Sequence, residues 1–172
     1  MEQKQYQSIR LKPGKDRSVR NYHPWIFSGA VATEIKSLQE GEIVEVFDAE
    51  NKYLATGHFH KGTIMVRVLS FRQRMIDLEF WKQRFEEALQ LRKTIGLPLH
   101  GKTTAFRLIH AEGDHLPGLV IDIYGNTAVV QAHSQGMQLS LDLITRALLS
   151  LDRKSTRLNS SHIPLSRMPS SA

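Results

Sequence analysis

The sequence predicts an α+β protein in two parts, a small all-β unit over residues 1–72 and a mixed α/β unit over residues 73–151. Two observations carry that expectation. From Gln7 to Leu69 the chain runs in short stretches that alternate apolar and polar side chains, closely spaced by turn residues and with no helix of note, which is how a small barrel reads. After Asp77 the period changes to a helical one, followed by β-rich stretches and a second helical pattern.

Each element has a local cause. Gln7 to Leu11 alternates as a strand, and Lys12-Pro13-Gly14 is turn chemistry. His23 to Val31 follows a basic patch containing Arg17 and Arg20. Gly41 to Asp48 alternates with β-branched residues, as a half-buried strand does. Ala49 to Lys52 makes a turn, and Tyr53 to Phe59 returns as the partner strand. Thr63 to Leu69 alternates again. Asp77 is placed to cap a helix, with Leu78, Trp81, Phe85, Ala88 and Ile95 on its apolar stripe. Gly96 and Pro98 stop it. Ala105 to Ala111, Gly118 to Tyr124 and Ala128 to His133 are β-rich, the last two joined by a tight turn at Gly125-Asn126. Gln138 to Leu151 predicts a helix with Leu139, Leu143, Ala147 and Leu151 on one face.

Residues 152–172 read as a translated sequencing adapter. Asp152 to His162 and Ser166 to Ala172 follow one frame of the two ends of a common adapter, and Ile163 to Leu165 leave room for an index. The expectation is an artefactual, disordered tail with the native frame interrupted near Leu151. Arg153, Lys154, Arg157 and Arg167 against Asp152 carry +3 of the formal +6 net charge. What remains is mildly basic, which permits a nucleic-acid partner without arguing strongly for one.

The chain contains no cysteine. That fits a cytoplasmic protein and excludes disulfides, zinc–thiolate sites and cysteine nucleophiles within these residues. No stretch approaches the roughly 20 apolar residues of a membrane span, and no membrane partner is expected. His58 and His60 alternate on a strand, but a third metal ligand is not evident nearby, so two polar residues on an exposed strand face are expected and no metal. Glu112, Asp114 and His115 form the densest acid–imidazole cluster; carboxylates capping backbone N–H groups are favoured there over acid–base chemistry. Gly96 to Thr103 matches a phosphate-loop pattern, yet it follows a helix, precedes a strand and contains Pro98. An ordinary loop is expected.

Lys15, Arg17, Arg20, Tyr22, His23 and Trp25 mix cations with aromatics. Unpaired RNA is recognised by that mixture, through phosphate contacts and base stacking. A solvated basic face over core aromatics is equally compatible with it.

Two signatures carry a family resemblance. Arg20 to Val31, with His23-Pro24-Trp25-Ile26-Phe27-Ser28-Gly29-Ala30, resembles the opening of a PUA domain in bacterial class I SAM-dependent rRNA methyltransferases. Arg107-Leu108 and then Glu112-Gly113-Asp114-His115-Leu116-Pro117-Gly118-Leu119-Val120-Ile121-Asp122-Ile123-Tyr124-Gly125 are similar to the central domain of the branch that methylates C5 of a cytosine in large-subunit (23S) rRNA. His115 replaces the small residue usual there. The resemblance extends over residues 6–151. It implies a PUA-type β-barrel, then a central α/β domain of helix, three β segments and helix. The Rossmann-like catalytic domain is expected to be absent. S-adenosylmethionine is implied for the full-length parent and no cofactor for this chain, which lacks a glycine-rich cofactor loop. Ribosomal RNA is the implied partner, and a homodimer of the parent is compatible with it. RNA contacts are expected at Lys15, Arg17, Arg20 and His23, with Arg67 and Arg72 as further candidates. Glu112, Asp114 and Asp122 are implied to shape the domain. The expected role is the RNA-binding part of a methyltransferase, inactive alone; the alternative is a stand-alone PUA-type RNA-binding or adaptor protein.

Overall fold

The computed structural model describes residues 6–34, 36–97 and 103–152, with only the backbone of Asp152. The tail beyond it and most of the phosphate-loop-like stretch lie outside the described residues.

The first unit is a five-stranded sheet in the order β1-β3-β4-β5-β2. Its strands are β1 (Gln7–Arg10), β2 (Trp25–Phe27), β3 (Ile43–Phe47), β4 (Tyr53–Phe59) and β5 (Ile64–Ser70). β1 runs parallel to β3, and the other pairs are antiparallel. The expected barrel is not continuous. The β1 and β2 edges meet through an isolated bridge, Leu11 to Val31, beside the bond from Lys12 N to Ala30 O at 2.8 Å. β2 is too short to extend that contact, because Pro24 precedes it and the 3₁₀ turn Ser28–Ala30 ends it. A short helix not expected from the sequence, α1 (Arg17–Arg20), packs against β2 and β4 and buries Val19. Ile9, Val44, Val46, Phe59, Val66 and Val68 fill the core of this unit.

In the second unit, Asp77 caps α2 (Leu78–Thr94) as expected, its carboxylate accepting from Phe80 N at 2.9 Å. Phe80, Trp81, Phe85 and Ala88 are buried. Ile95 is not part of that stripe. It lies past the last helical turn and is 64% exposed. β6 (Ala105–His110), β7 (Leu119–Tyr124) and β8 (Thr127–Ala132) form an antiparallel three-stranded sheet. Gly125-Asn126 makes the hairpin turn between Tyr124 and Thr127, with Gly125 at φ 56°.

The last helical stretch differs from expectation. It is two helices, α3 (Gln135–Leu139) and α4 (Leu141–Asp152), broken at Ser140. Ser134 caps α3, and the Ser140 hydroxyl donates back to Gly136 O at 2.8 Å. The break changes the buried face. Leu139 is 64% exposed, whereas Ile144 and Ala147 are buried where α4 packs on α2. Leu143 and Leu151 remain partly buried in the same core. The helix face at Leu143 and Ala147 therefore has a partner within the chain.

The two units share packing. Leu69 of β5 is buried in the second core, and Ile43 of β3 packs against it. Cross-strand partners Ile43, His58, Arg67 and Trp25 form one row on that outer face of the first sheet. α3 lies against it so closely that a Cβ on Gly136 would come within 2.2 Å of His58 Cγ.

Candidate RNA-contact surface

The basic residues of the first unit fall into two places. Gly14, at φ 70°, and the bond from Lys15 N to Lys12 O at 3.1 Å turn the chain into α1. Lys15 and Arg17 are exposed there, and neither side chain has a partner among the described residues. Arg20 is exposed but held. It pairs with Asp16 one turn away and reaches the buried Asp48 at 2.5 Å. The hydrogen bond to Arg20 holds the Asp16 carboxyl below the usual carboxylate range. Asp48 also accepts from Lys52 N at 2.8 Å, so Arg20 ties α1 to the β3–β4 turn. His23 sits half-buried, its Nδ1 3.1 Å from both the N and the O of Trp25. Its ring lies 6.1 Å from that of Phe27, which is 43% exposed.

Arg72 joins this group through its neighbour. It follows Phe71, whose ring meets Tyr22 edge-on, and its guanidinium has no partner among the described residues. Arg67 does not join it. It stands in the row facing the second unit, beside His58 on β4 and Trp25 on β2. The structure thus brings together Lys15, Arg17, Arg20, His23 and Arg72 around α1 and sets Arg67 apart.

Sequence reasoning missed one of the contacts that join the units. Trp25 Nε1 donates to Glu112 Oε1 at 3.0 Å. These residues are 87 positions apart, and only the family signatures marked both. Asp114 is likewise occupied. Arg92 donates to its two oxygens at 2.9 and 2.5 Å, and His110 N donates at 2.6 Å. Arg107 holds Asp122 at 2.8 and 3.0 Å. The acid cluster is therefore bonded within the fold, Asp114 in part by a backbone N–H as expected.

His58 corrects an expectation. It is not on an exposed strand face but 2% exposed, under Gly136 of α3 and 3.4 Å from the Ser140 hydroxyl. Burial, with the charge of Arg67 nearby, pushes its pKa down to about 4. His60 instead pairs with Glu40. Among the described residues no group of three His, Cys, Asp or Glu side chains is arranged to hold a metal. No helix among them is long and apolar enough to cross a membrane.

Residues 9–71 match the PUA-like domain family. That segment is therefore similar to PUA-like domains. Lys15, Arg17, Arg20 and His23 of the basic group lie within it and Arg72 directly follows it, while Trp25, which contacts the following unit, lies within it. Beyond the PUA-like domain the similarity continues. The chain is 42% identical over 145 residues to ribosomal RNA large subunit methyltransferase I of Alteromonas mediterranea, covering 83% of this chain and 36% of that protein. It is 38% identical over 143 residues to the Vibrio cholerae protein of the same name, again 83% and 36%. The chain is thus homologous to part of these enzymes and spans about a third of their length. A solved structure of a candidate SAM-dependent methyltransferase from Streptococcus mutans shares the fold, with a TM-score of 0.71 at 17% identity over 86% of this chain and 38% of that one.

Proposed function

We propose that this chain is the RNA-docking part of an S-adenosylmethionine-dependent methyltransferase that modifies a cytosine of large-subunit rRNA at C5. The observation that carries the reading is continuous homology, through the PUA-like domain and the unit after it, to about a third of ribosomal RNA large subunit methyltransferase I. The surface around α1 supports it. Lys15, Arg17 and Arg72 offer cations with no side-chain partner among the described residues, and the aromatic residues Tyr22 and Phe27 of the same unit are exposed.

The cofactor does not fit the described residues. β1 and β3 are the parallel pair there, and no glycine-rich turn leads from a parallel strand into a helix. C5 methylation also needs a thiolate to add at C6, and these 172 residues contain no cysteine. Methyl transfer is therefore assigned to the part of the relatives' length that this chain does not span, and no catalytic residue is named here. The reading places the protein in the cytoplasm, with its substrate.

Binding to large-subunit rRNA measured across a salt series tests the docking role. Arg17→Ala should weaken binding and make the slope of log K against log salt shallower by about 1 if it contacts one phosphate. An intact chain without salt-dependent affinity for that RNA would sink the reading.

A further inference from the structure

α1 ends in a way that costs free energy. Tyr22 N donates to Val19 O at 2.9 Å, and His23 N donates to Ser18 O at 3.0 Å. These paired bonds are a Schellman close. They place Tyr22 at the left-handed position, φ 61°, which glycine occupies without penalty and a bulky L side chain does not. Burial does not offset that cost. Tyr22 is 71% exposed, and its hydroxyl has no hydrogen-bond partner among the described residues. Its ring contact is an edge-on approach to Phe71, centroids 5.1 Å apart at 80°. That contact orients the ring and leaves most of it in solvent.

Two cations with no side-chain partner among the described residues lie on the segments that carry this ring and its neighbour. Arg72 follows Phe71 directly, and Arg17 lies in α1 itself. An exposed aromatic ring, oriented by an edge-on neighbour and with cations on the adjoining segments, is what base stacking with phosphate contacts requires.

We propose that Tyr22 is a base-stacking platform: an unpaired RNA base lies on its ring while Arg17 and Arg72 contact the flanking phosphates. The proposal rests on the RNA-docking reading above and adds the class of RNA. A base inside a helix has both faces covered, so the ligand is a single-stranded or splayed-out segment.

The test is fluorescence anisotropy of the full chain with a labelled short single-stranded RNA, and with the same RNA as a duplex. Tyr22→Gly should lose about tenfold in affinity for the single strand and change duplex affinity by less than about twofold. Its salt slope should be unaltered, because stacking releases no counterions. Its melting temperature should hold or rise by about 3 °C, because glycine removes the left-handed strain. Tyr22→Phe, which keeps the ring, should restore most of the lost affinity. Unchanged single-strand affinity in Tyr22→Gly would overturn the proposal, and so would a fall of several degrees in its melting temperature. Loss of both RNAs to the same degree would overturn it too, pointing to a charge effect. If the unaltered chain binds neither RNA, the docking reading itself fails and this inference with it.

Discussion

At the residue scale, the side chains that matter most are polar groups placed between the two units. His58 is the clearest. It is buried, its Nδ1 has no partner among the described residues, and its pKa is pushed down to about 4. The unfolded chain takes up a proton near pH 6.5, while the folded chain does not until about pH 4. His58 therefore contributes stability that is fully present above pH 6.5 and lost as the pH falls toward 4, by up to about 1.4 kcal/mol per pH unit. Urea unfolding between pH 7 and pH 4 should show that decline. His58→Phe should flatten it, because the ring shape is kept and the titrating nitrogen is gone. The Ser140 hydroxyl keeps its bond to Gly136 O in that variant. An equally steep decline in His58→Phe would rule His58 out as the cause.

At the element scale, α2 was the most legible part of the sequence. Asp77 sits where a cap must, and Trp81, Phe85 and Ala88 recur on one face. Asp77→Ala should cost about 1 kcal/mol, read as a lower denaturation midpoint with an unchanged m-value. The strands were legible for the same reason: period-2 patterns bounded by turn residues are local signals. α1 was not, because four residues carry no helical periodicity. The break at Ser140 was not legible either. The sequence pattern runs through it, and the residue at the break, Ser140, lies against His58, 82 positions away. Ile95 was misplaced because a helical stripe extrapolates past the C-cap, whereas the backbone turns there.

At the scale of the whole molecule, the boundary near residue 72 divides sequence patterns more sharply than it divides packing. Leu69 belongs to the first sheet by pairing and to the second core by burial. Tyr6 OH accepts from Ile76 N at 2.9 Å, and Trp25 bonds Glu112 at 3.0 Å across the same junction. The units should therefore unfold together. Leu69→Ala should cost about 2–5 kcal/mol and lower the near- and far-UV circular dichroism melts by the same amount. Two separated transitions in the unaltered chain would show that the junction is weaker than its burial implies.

The sequence by itself determined the period of most elements, the Asp77 cap, several turns, the family signatures and the inventory of cations, because these depend on residues close together in the chain. Tertiary structure decided which of those residues are available. It buried His58 and turned Arg67 toward the second unit. It tied Arg20 to Asp48, and Glu112 to Trp25. It left Lys15, Arg17 and Arg72 without side-chain partners among the described residues, and Tyr22 exposed. The physical reason is that burial and charge pairing are set by contacts between positions distant in the chain, about which local pattern carries no information.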